Sequence, residues 1–574
     1  MEIYTKGQCE YLRQQTKQRF DKVRNTWIDC GKWALPHRIR WMMSQTEGQR
    51  NNQHIVDSTH ILALRSYVAG FLEGNTSASR PWFRISHGNP EINKQEANKI
   101  WLDKFTRKTL NTLTSSNFYH AAAAFYYDFG VFNTGAYYID ELPTGLHFHN
   151  LTPGSYYCLN NNIGIADVLV RDLSLTVKAL VDAYGVKVNG NYVWSNFSSR
   201  VKKMYEDGNY SQKIDIVHVC KPNVDFDFNK PQTLLNKQWL SLTYELGGSS
   251  GPYYQDGQEF GTQTPDIRED NVFLKKSASK RKPFLVGRSE SSDNFEYGET
   301  GPTLNALGLI KSLNKKAIGK DIALDQMLKP ALQGPANLKK SYINSAPNSF
   351  IPLDAQGMAQ GGLKPVFQIT PAISSIIQDV SDIRDQVDKL YFADYLLYLT
   401  RNPKTRTATE TNAVVQEQQL IIGPNLQSLN WTHNTPLIEF VMDYVLDEDF
   451  NLEPPPESLQ GQFLRTEIIS VFAQAQRSAD LPVVDKYVQM VTAVGQVQPQ
   501  IFDKMNVDQL CDLYADRLYL PPGLNNPQAS VDGKRQQAAM MAQRQQMMQE
   551  SVPAMAGAVK NLRSSQPPPG QPKQ

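Results

Sequence analysis

ISSIIQDVSDIRDQVDKL, residues 373–390, is the most regular stretch in the chain: Ile373, Ile376, Val380, Ile383, Val387 and Leu390 step by three and four residues in strict alternation. That spacing sets all six side chains on one narrow stripe of an α-helix, a seam suited to packing on another helix. Upstream, after Gly301-Pro302, residues 303–328 carry a second stripe through Leu304, Leu307, Ile310, Leu313, Ala317, Leu324 and Leu328. Residues 330–371 between them hold six prolines and four glycines, which exclude long helices. Helix, irregular excursion and second helix predict an antiparallel pair with a small module at its tip. An ordinary helical hairpin inside an enzyme domain would show the same spacing.

Downstream of the seam, a short polar loop near 400–406 bears Arg401, Lys404 and Arg406, and a long helical stretch begins near Ala408. Gly423-Pro424 should kink it. From Trp431 to Leu459 there is no Lys or Arg, although Asp443, Asp447, Glu448, Asp449, Glu453 and Glu457 are present. Beyond Pro454-Pro455-Pro456, residues 462–520 read as mainly helical. Residues 531–562, rich in Gln, Met and Ala, read as a further helix, and RSSQPPPGQPKQ at 563–574 as disordered.

The opening 300 residues read differently. Leu12, Thr16, Phe20, Val23, Trp27 and Cys30 mark one amphipathic helix, and Ile61, Leu64, Val68 and Phe71 a second. Asn117 to Phe129 is a third, with Gly130 as its expected stop. The period then shortens to strands: GAYYID (135–140), LHFHNL (146–151), SYYCLN (155–160), IDIVHVC (214–220) and QWLSLTYEL (238–246). Leu175 to Tyr184 is a short helix with Gly185 as its C-terminal cap. The fold class is α+β, mainly helical.

Composition bounds the function. The chain has 574 residues, 40% of them hydrophobic and 20% charged, with 59 Lys and Arg against 57 Asp and Glu for a formal charge of +2. That balance offers no global field for coating nucleic acid, yet permits contact at a few places. Cys9, Cys30, Cys158, Cys220 and Cys511 form no C-x-x-C pair, which argues against a disulfide framework or a structural zinc site and for a reducing compartment. The N-terminus lacks a signal-peptide core, and no apolar run reaches the length of a membrane span, so no membrane partner is expected.

Chemistry is sparse. Gly357-x4-Gly362 has Leu363 where a phosphate-binding loop needs lysine. Gly247-Gly248-Ser249-Ser250-Gly251 matches G-x-S-x-G in form, but Pro252-Tyr253-Tyr254 follows where a nucleophile elbow needs a helix, so it reads as a hairpin tip. His147-x-His149 lacks an obvious third ligand, and His54, Asp57 and His60 read as caps and surface residues. No catalytic residue, metal ligand or cofactor is nominated. Lys275, Lys276, Lys280, Arg281 and Lys282 form a basic run that is either a solvated loop or a contact for nucleic acid or an acidic partner.

Several short strings, in a shared order over roughly residues 8–550, resemble the head-to-tail connector (portal) proteins of short-tailed bacteriophages. They are Asp57-Ser58-Thr59, Pro81-Trp82-Phe83, Phe132-x-Thr134-Gly135-Ala136, and Arg171 before a helix. Tyr297-Gly298 with Gly301-Pro302, Leu313-Asn314, Thr407-Ala408-Thr409-Glu410 and Gly423-Pro424 follow. Ala473-Gln474-Ala475-Gln476-Arg477 and Pro499 with Phe502-Asp503 complete the set. Two departures stand out: Glu299-Thr300 lengthens the step to Gly301, and Arg406 occupies an expected apolar position.

The resemblance implies a portal fold: a wing over 1–300, stem helices at 301–328 and 372–398, and a clip at 329–371. A tunnel loop at 399–407, a long kinked wing helix at 408–461, a helical crown at 462–562 and a tail at 563–574 follow. It implies a ring of about twelve copies at one capsid vertex, a heterologous assembly that closes. Double-stranded DNA would pass through it non-specifically during packaging and ejection. Implied partners are a terminase, the major capsid and scaffolding proteins and a tail adaptor, with assembly in the host cytoplasm and residence in the virion. Arg401, Lys404 and Arg406 would face DNA, and Ile373 to Leu390 would pack the stem. Another phage neck or tail structural protein, or a hydrolase using Ser249, are the competing readings.

Overall fold

Thr5 opens the first helix with a capping box: its hydroxyl accepts the Gln8 N–H at 3.3 Å, and the Gln8 side chain accepts the Thr5 N–H at 3.1 Å. This computed structural model describes residues 5–43, 51–230, 236–246, 253–255, 258–260, 273–328, 332–333, 359, 364–365, 373–393, 423–447, 453–469, 481–495, 498, 500–501, 506–517 and 530–545. They divide into a larger unit (1–84, 106–452, 466–476) and a smaller one (85–105, 453–465, 477–574).

In the larger unit α1 (Lys6–Ala34) buries Thr16, Phe20, Trp27 and Cys30, and α2 (Thr59–Asn75) buries Leu64, Tyr67, Val68 and Phe71. Helix α3 (Glu96–Ser115), which the sequence reading left out, follows. Helix α4 (Phe118–Phe132) continues two residues past the expected stop at Gly130. A Cβ on Gly130 would lie 3.0 Å from Leu64 and 3.1 Å from Tyr67, so this glycine serves the close approach of α2. The stop is Asn133 at φ 59, a left-handed position that asparagine tolerates better than most residues.

Two antiparallel sheets follow. The first orders β8 (Phe284–Arg288), β1 (Thr134–Leu142) and β2 (Gly145–Asn150), with Tyr138 opposite both Phe284 and His149. The second orders β7 (Lys275–Ser279), β6 (Trp239–Glu245), β5 (Lys213–Pro222), β4 (Ala166–Thr176) and β3 (Tyr156–Asn160). Arg171 lies inside β4, which leads directly into the next helix. Strand β4 runs to Thr176, whose hydroxyl caps α5 (Val177–Tyr184) through the Ala179 N–H. Gly185 does close α5, but in extended backbone: a Cβ there would stand 2.4 Å from the Val181 carbonyl oxygen. Helix α5 and the helix Ser199–Glu206 share a core of Val177, Leu180, Val181, Val201, Ile214, Ile216 and Leu274. The fold is α+β.

Beyond the sheets come α6 (Pro302–Leu328) and α7 (Ile373–Leu390). A helical run then covers 423–447, ending in α8 (Thr435–Asp447). Its Asn430–Asn434 turn widens to π geometry just ahead of Pro436. Proline has no N–H to donate and its ring crowds the carbonyl four residues back, so a wider turn relieves both conflicts.

In the smaller unit, the part of α3 up to Phe105 buries Trp101, Leu102 and Phe105. The Trp101 indole donates to the Glu453 carbonyl at 2.8 Å, and the Ser458 hydroxyl donates to Asn98 at 2.9 Å. Helices Leu481–Gly495 and Val507–Arg517 belong here, and Arg535 pairs with Asp508 at 2.6 Å. The strand Leu464–Ile468 is an exception within the mainly helical reading of 462–520.

Candidate functional site

The two stripes that opened the sequence reading meet. The Thr303 and Tyr391 hydroxyls are 2.8 Å apart, and Lys316 pairs with Asp379 at 2.5 Å, so α6 and α7 run antiparallel. Val380, Ile383 and Val387 are buried within the single chain, while Ile376 and Leu390 are half-buried. The Ile373 side chain lies outside the described residues. Helix α7 packs on both α6 and α2, so the seam finds its neighbours inside one subunit. Ile318 and Ile322 on α6, one helical turn apart, and Ile377 on α7 stay exposed.

The root of the hairpin is pinned by polar contacts. The Asn314 side-chain oxygen accepts the backbone N–H groups of Val56 and Asp57 at 2.8 and 2.9 Å. The Asp57 carboxylate in turn accepts the Thr59 N–H at 2.9 Å and the Arg384 guanidinium at 2.7 Å. Burial alone would raise the Asp57 pKa, yet the Thr59 hydrogen bonds and Arg384 hold it below the ordinary range. His60 is buried with its ring nitrogen on the Trp33 carbonyl at 2.9 Å, and His54 meets the Lys32 carbonyl at 2.9 Å. Asp57 and His60 are therefore interior joints and not surface residues.

A second junction explains the glycines. Asn133, turned left-handed at the end of α4, accepts the Ser289 N–H on its carbonyl at 3.0 Å. A Cβ on Gly298 would fall 2.3 Å from that carbonyl oxygen, and one on Gly301 would fall 1.6 Å from the Asn133 side-chain oxygen. Gly135 and Gly287 press on the Phe125 ring in the same way, and Phe125 stacks on His433 in the π turn at 4.2 Å. Thr134-Gly135, Tyr297-Gly298 and Gly301-Pro302, separated in sequence, thus converge where α4 ends and α6 begins.

The basic run divides between a strand and the turn that follows it, and its charges are not all free. Lys275 and Lys276 sit exposed on β7, but Arg281 is buried and donates to Glu141 at 2.8 Å and to Asp447. Lys280 also pairs with Asp447, at 2.7 Å. Burial lowers the Lys282 pKa to about 8, with its ammonium 4.8 Å above the Phe284 ring. Arg281 is held in the interior and Lys282 is half-buried, while Lys280 is exposed and paired.

Among the described residues the nearest approach to a catalytic pair has the wrong polarity. His218 and Ser241 are 2.6 Å apart and buried, but Arg171 donates to His218 Nδ1 at 2.8 Å. His218 therefore holds its proton on Nε2 and donates to Ser241, the opposite polarity to a general base. Burial first, and then the Arg171 charge, hold its pKa well below the usual histidine value. The His147 and His149 rings are 4.5 Å apart and His149 pairs with Asp140 at 2.8 Å, yet among the described residues no three ligands gather for a metal. No helix among them is long and apolar enough to cross a membrane. Ser249, Arg401, Lys404 and Arg406 lie outside the described residues, as does nearly all of 329–371.

The portal protein of Salmonella phage epsilon15 is 30% identical over 549 residues, covering 95% of this chain and 93% of its own. The probable portal protein of Bordetella phage BPP-1 is 29% identical over 536 residues, covering 93% and 90%. A chain from the virion of a native gene transfer agent particle shares 10% identity at a TM-score of 0.30, covering 80% of this chain and 96% of that one. The bacteriophage head to tail connecting protein family matches residues 6–259 and 255–524, which together span most of the sequence. The chain belongs to that family.

Proposed function

We propose that the chain is a portal subunit whose copies close into a ring of about twelve at one capsid vertex, a heterologous contact repeated until it meets itself. Double-stranded DNA passes through the ring during packaging and ejection, and a terminase and then a tail adaptor dock on it. The work is structural: energy for packaging comes from the terminase, and the chain contributes the conduit as part of the virion. In this reading α6 and α7 are the stem, residues 329–371 the clip, and 399–407 the tunnel loop presenting Arg401, Lys404 and Arg406.

The observation that carries the reading is the 30% identity to a portal protein over nearly the whole length of both chains. The hairpin supports it physically: its seam is filled within one subunit, while Ile318, Ile322 and Ile377 stand in water. Removing one such side chain from water contributes about 1.5–3 kcal/mol, so repeated copies give a ring a strong reason to close. Negative-stain images of the purified protein should show rings with a central channel, and those rings should retain a co-expressed terminase. Uniform monomers or solid particles at micromolar concentration would overturn the reading.

A further inference from the structure

The helical run 423–447 has one buried and one bare side. Leu437, Ile438, Val441 and Val445 of α8 are buried, while Glu439, Asp443 and Leu446 face outward at helical spacing, with Trp431, 58% exposed, at the other end. Exposed tryptophan is uncommon, and between aliphatic and acidic neighbours it marks a surface built for a partner. Asp447, the last acid, is neutralised by Lys280 and Arg281. Among the described residues no cation pairs with Glu439. Burial and the neighbouring Asp443 charge raise its pKa, as for an acid whose cation must come from elsewhere.

Helix α2 has the opposite character. Ala63, Leu64, Tyr67, Val68 and Phe71 are buried, while Leu62 (57% exposed), Arg65 and Ala69 form an outward stripe. Among the described residues no acid pairs with Arg65. A cation between a leucine and an alanine complements two acids between a tryptophan and a leucine. Within one chain both helices pack on α4. It meets α2 through Tyr126, Phe129 and Gly130, and the π turn through Phe125. Phe125 and Gly130 lie about 140° apart around a helix, so α2 and the π turn flank different sides of α4. Complementary faces that differ in identity make a head-to-tail contact.

We propose that the Leu62–Arg65–Ala69 face of α2 docks on the Trp431, Glu439, Asp443 and Leu446 face of a second copy of this chain, so that Arg65 of one subunit meets the acids of the next. The contact rests on the ring reading above and adds a second interface, separate from the α6–α7 hairpin. It assigns a role to part of the stretch from Trp431 to Leu459 that lacks Lys and Arg.

Charge reversal tests it on the full-length protein. Arg65→Glu and Glu439→Arg, each alone, should lower the fraction of protein in rings about tenfold at a fixed concentration, because like charges then face each other. The double variant Arg65→Glu with Glu439→Arg should restore rings to near the unsubstituted level. All these positions are exposed, so thermal unfolding of the monomer should be unchanged. Arg65→Glu combined with Asp382→Arg, which restores the net charge at an exposed site on α7, should not rescue. Full ring formation by either single variant, or equal rescue by the Asp382 control, overturns this contact and leaves the proposed function standing. Absence of rings from the unsubstituted protein overturns both.

Discussion

Asp128, wholly buried on α4, shows how a single charge can decide the stability of the body. Its carboxylate accepts from Arg38 Nε at 2.8 Å and from a second Arg38 nitrogen, and that guanidinium also reaches Asn150 at 2.6 Å. Burial raises the Asp128 pKa to about 6 against the opposing pull of Arg38. The native state thus holds this proton more tightly than the unfolded chain does, and the stability it contributes is lost as pH rises from about 4 to about 6. Arg38→Met would leave an uncompensated buried carboxylate, at a cost of about 3–5 kcal/mol near pH 8. The deficit should shrink towards pH 5, where protonation removes the charge, and Asp128→Asn should recover most of it. Thermal unfolding at the two pH values checks this, and a deficit independent of pH would refute it. Nothing local in the sequence joins Arg38 to Asp128, 90 positions away, so this pair was not legible. Asn133 was obscured differently, because Gly130 nearby offered a more familiar stop.

Helix α7 was legible at the scale of the element because its burial is one-sided and its other face is polar apart from Ile377. Helix α3 was not, because its buried side mixes Trp101, Phe105 and Leu113 with Thr106 and Thr109, which dilutes the apolar stripe. The basic run misled for a related reason: charge in sequence does not reveal that Glu141 and Asp447 approach from other elements. The face of α7 can be tested directly. Ile383→Asp places a carboxylate in the packed seam and should cost about 3–5 kcal/mol, the sum of a lost aliphatic side chain and a desolvated charge. Asp382→Ala, one position along on the exposed side, should stay within about 0.5 kcal/mol. Monomer unfolding in urea checks both. Equal effects would mean that α7 does not bury the face its spacing marks.

At the scale of the molecule, a charge of +2 over 574 residues suits a conduit. Each phosphate neutralised by Lys or Arg releases counterions and strengthens non-specific binding, so a ring lined with cations would hold DNA that must slide. Among the described residues the basic run is partly removed from that role, with Arg281 and Lys280 tied to acids and Lys282 half-buried, while Lys275 and Lys276 stay exposed. Acids dominate the exposed side of α7 through Asp379, Asp382 and Asp385. Arg401, Lys404 and Arg406, repeated around a ring, would then be a narrow girdle of phosphate contacts, able to position a duplex without reading its bases. Replacing all three with alanine should leave ring formation unchanged while lowering the DNA retained in filled particles. The remaining retention should also respond less to added salt, because fewer counterions are exchanged. Gel quantification of nuclease-protected DNA at two salt concentrations measures both effects. Retention equal to that of the unsubstituted particle would remove these three residues from the DNA path and leave the grip on the genome to other partners at the vertex.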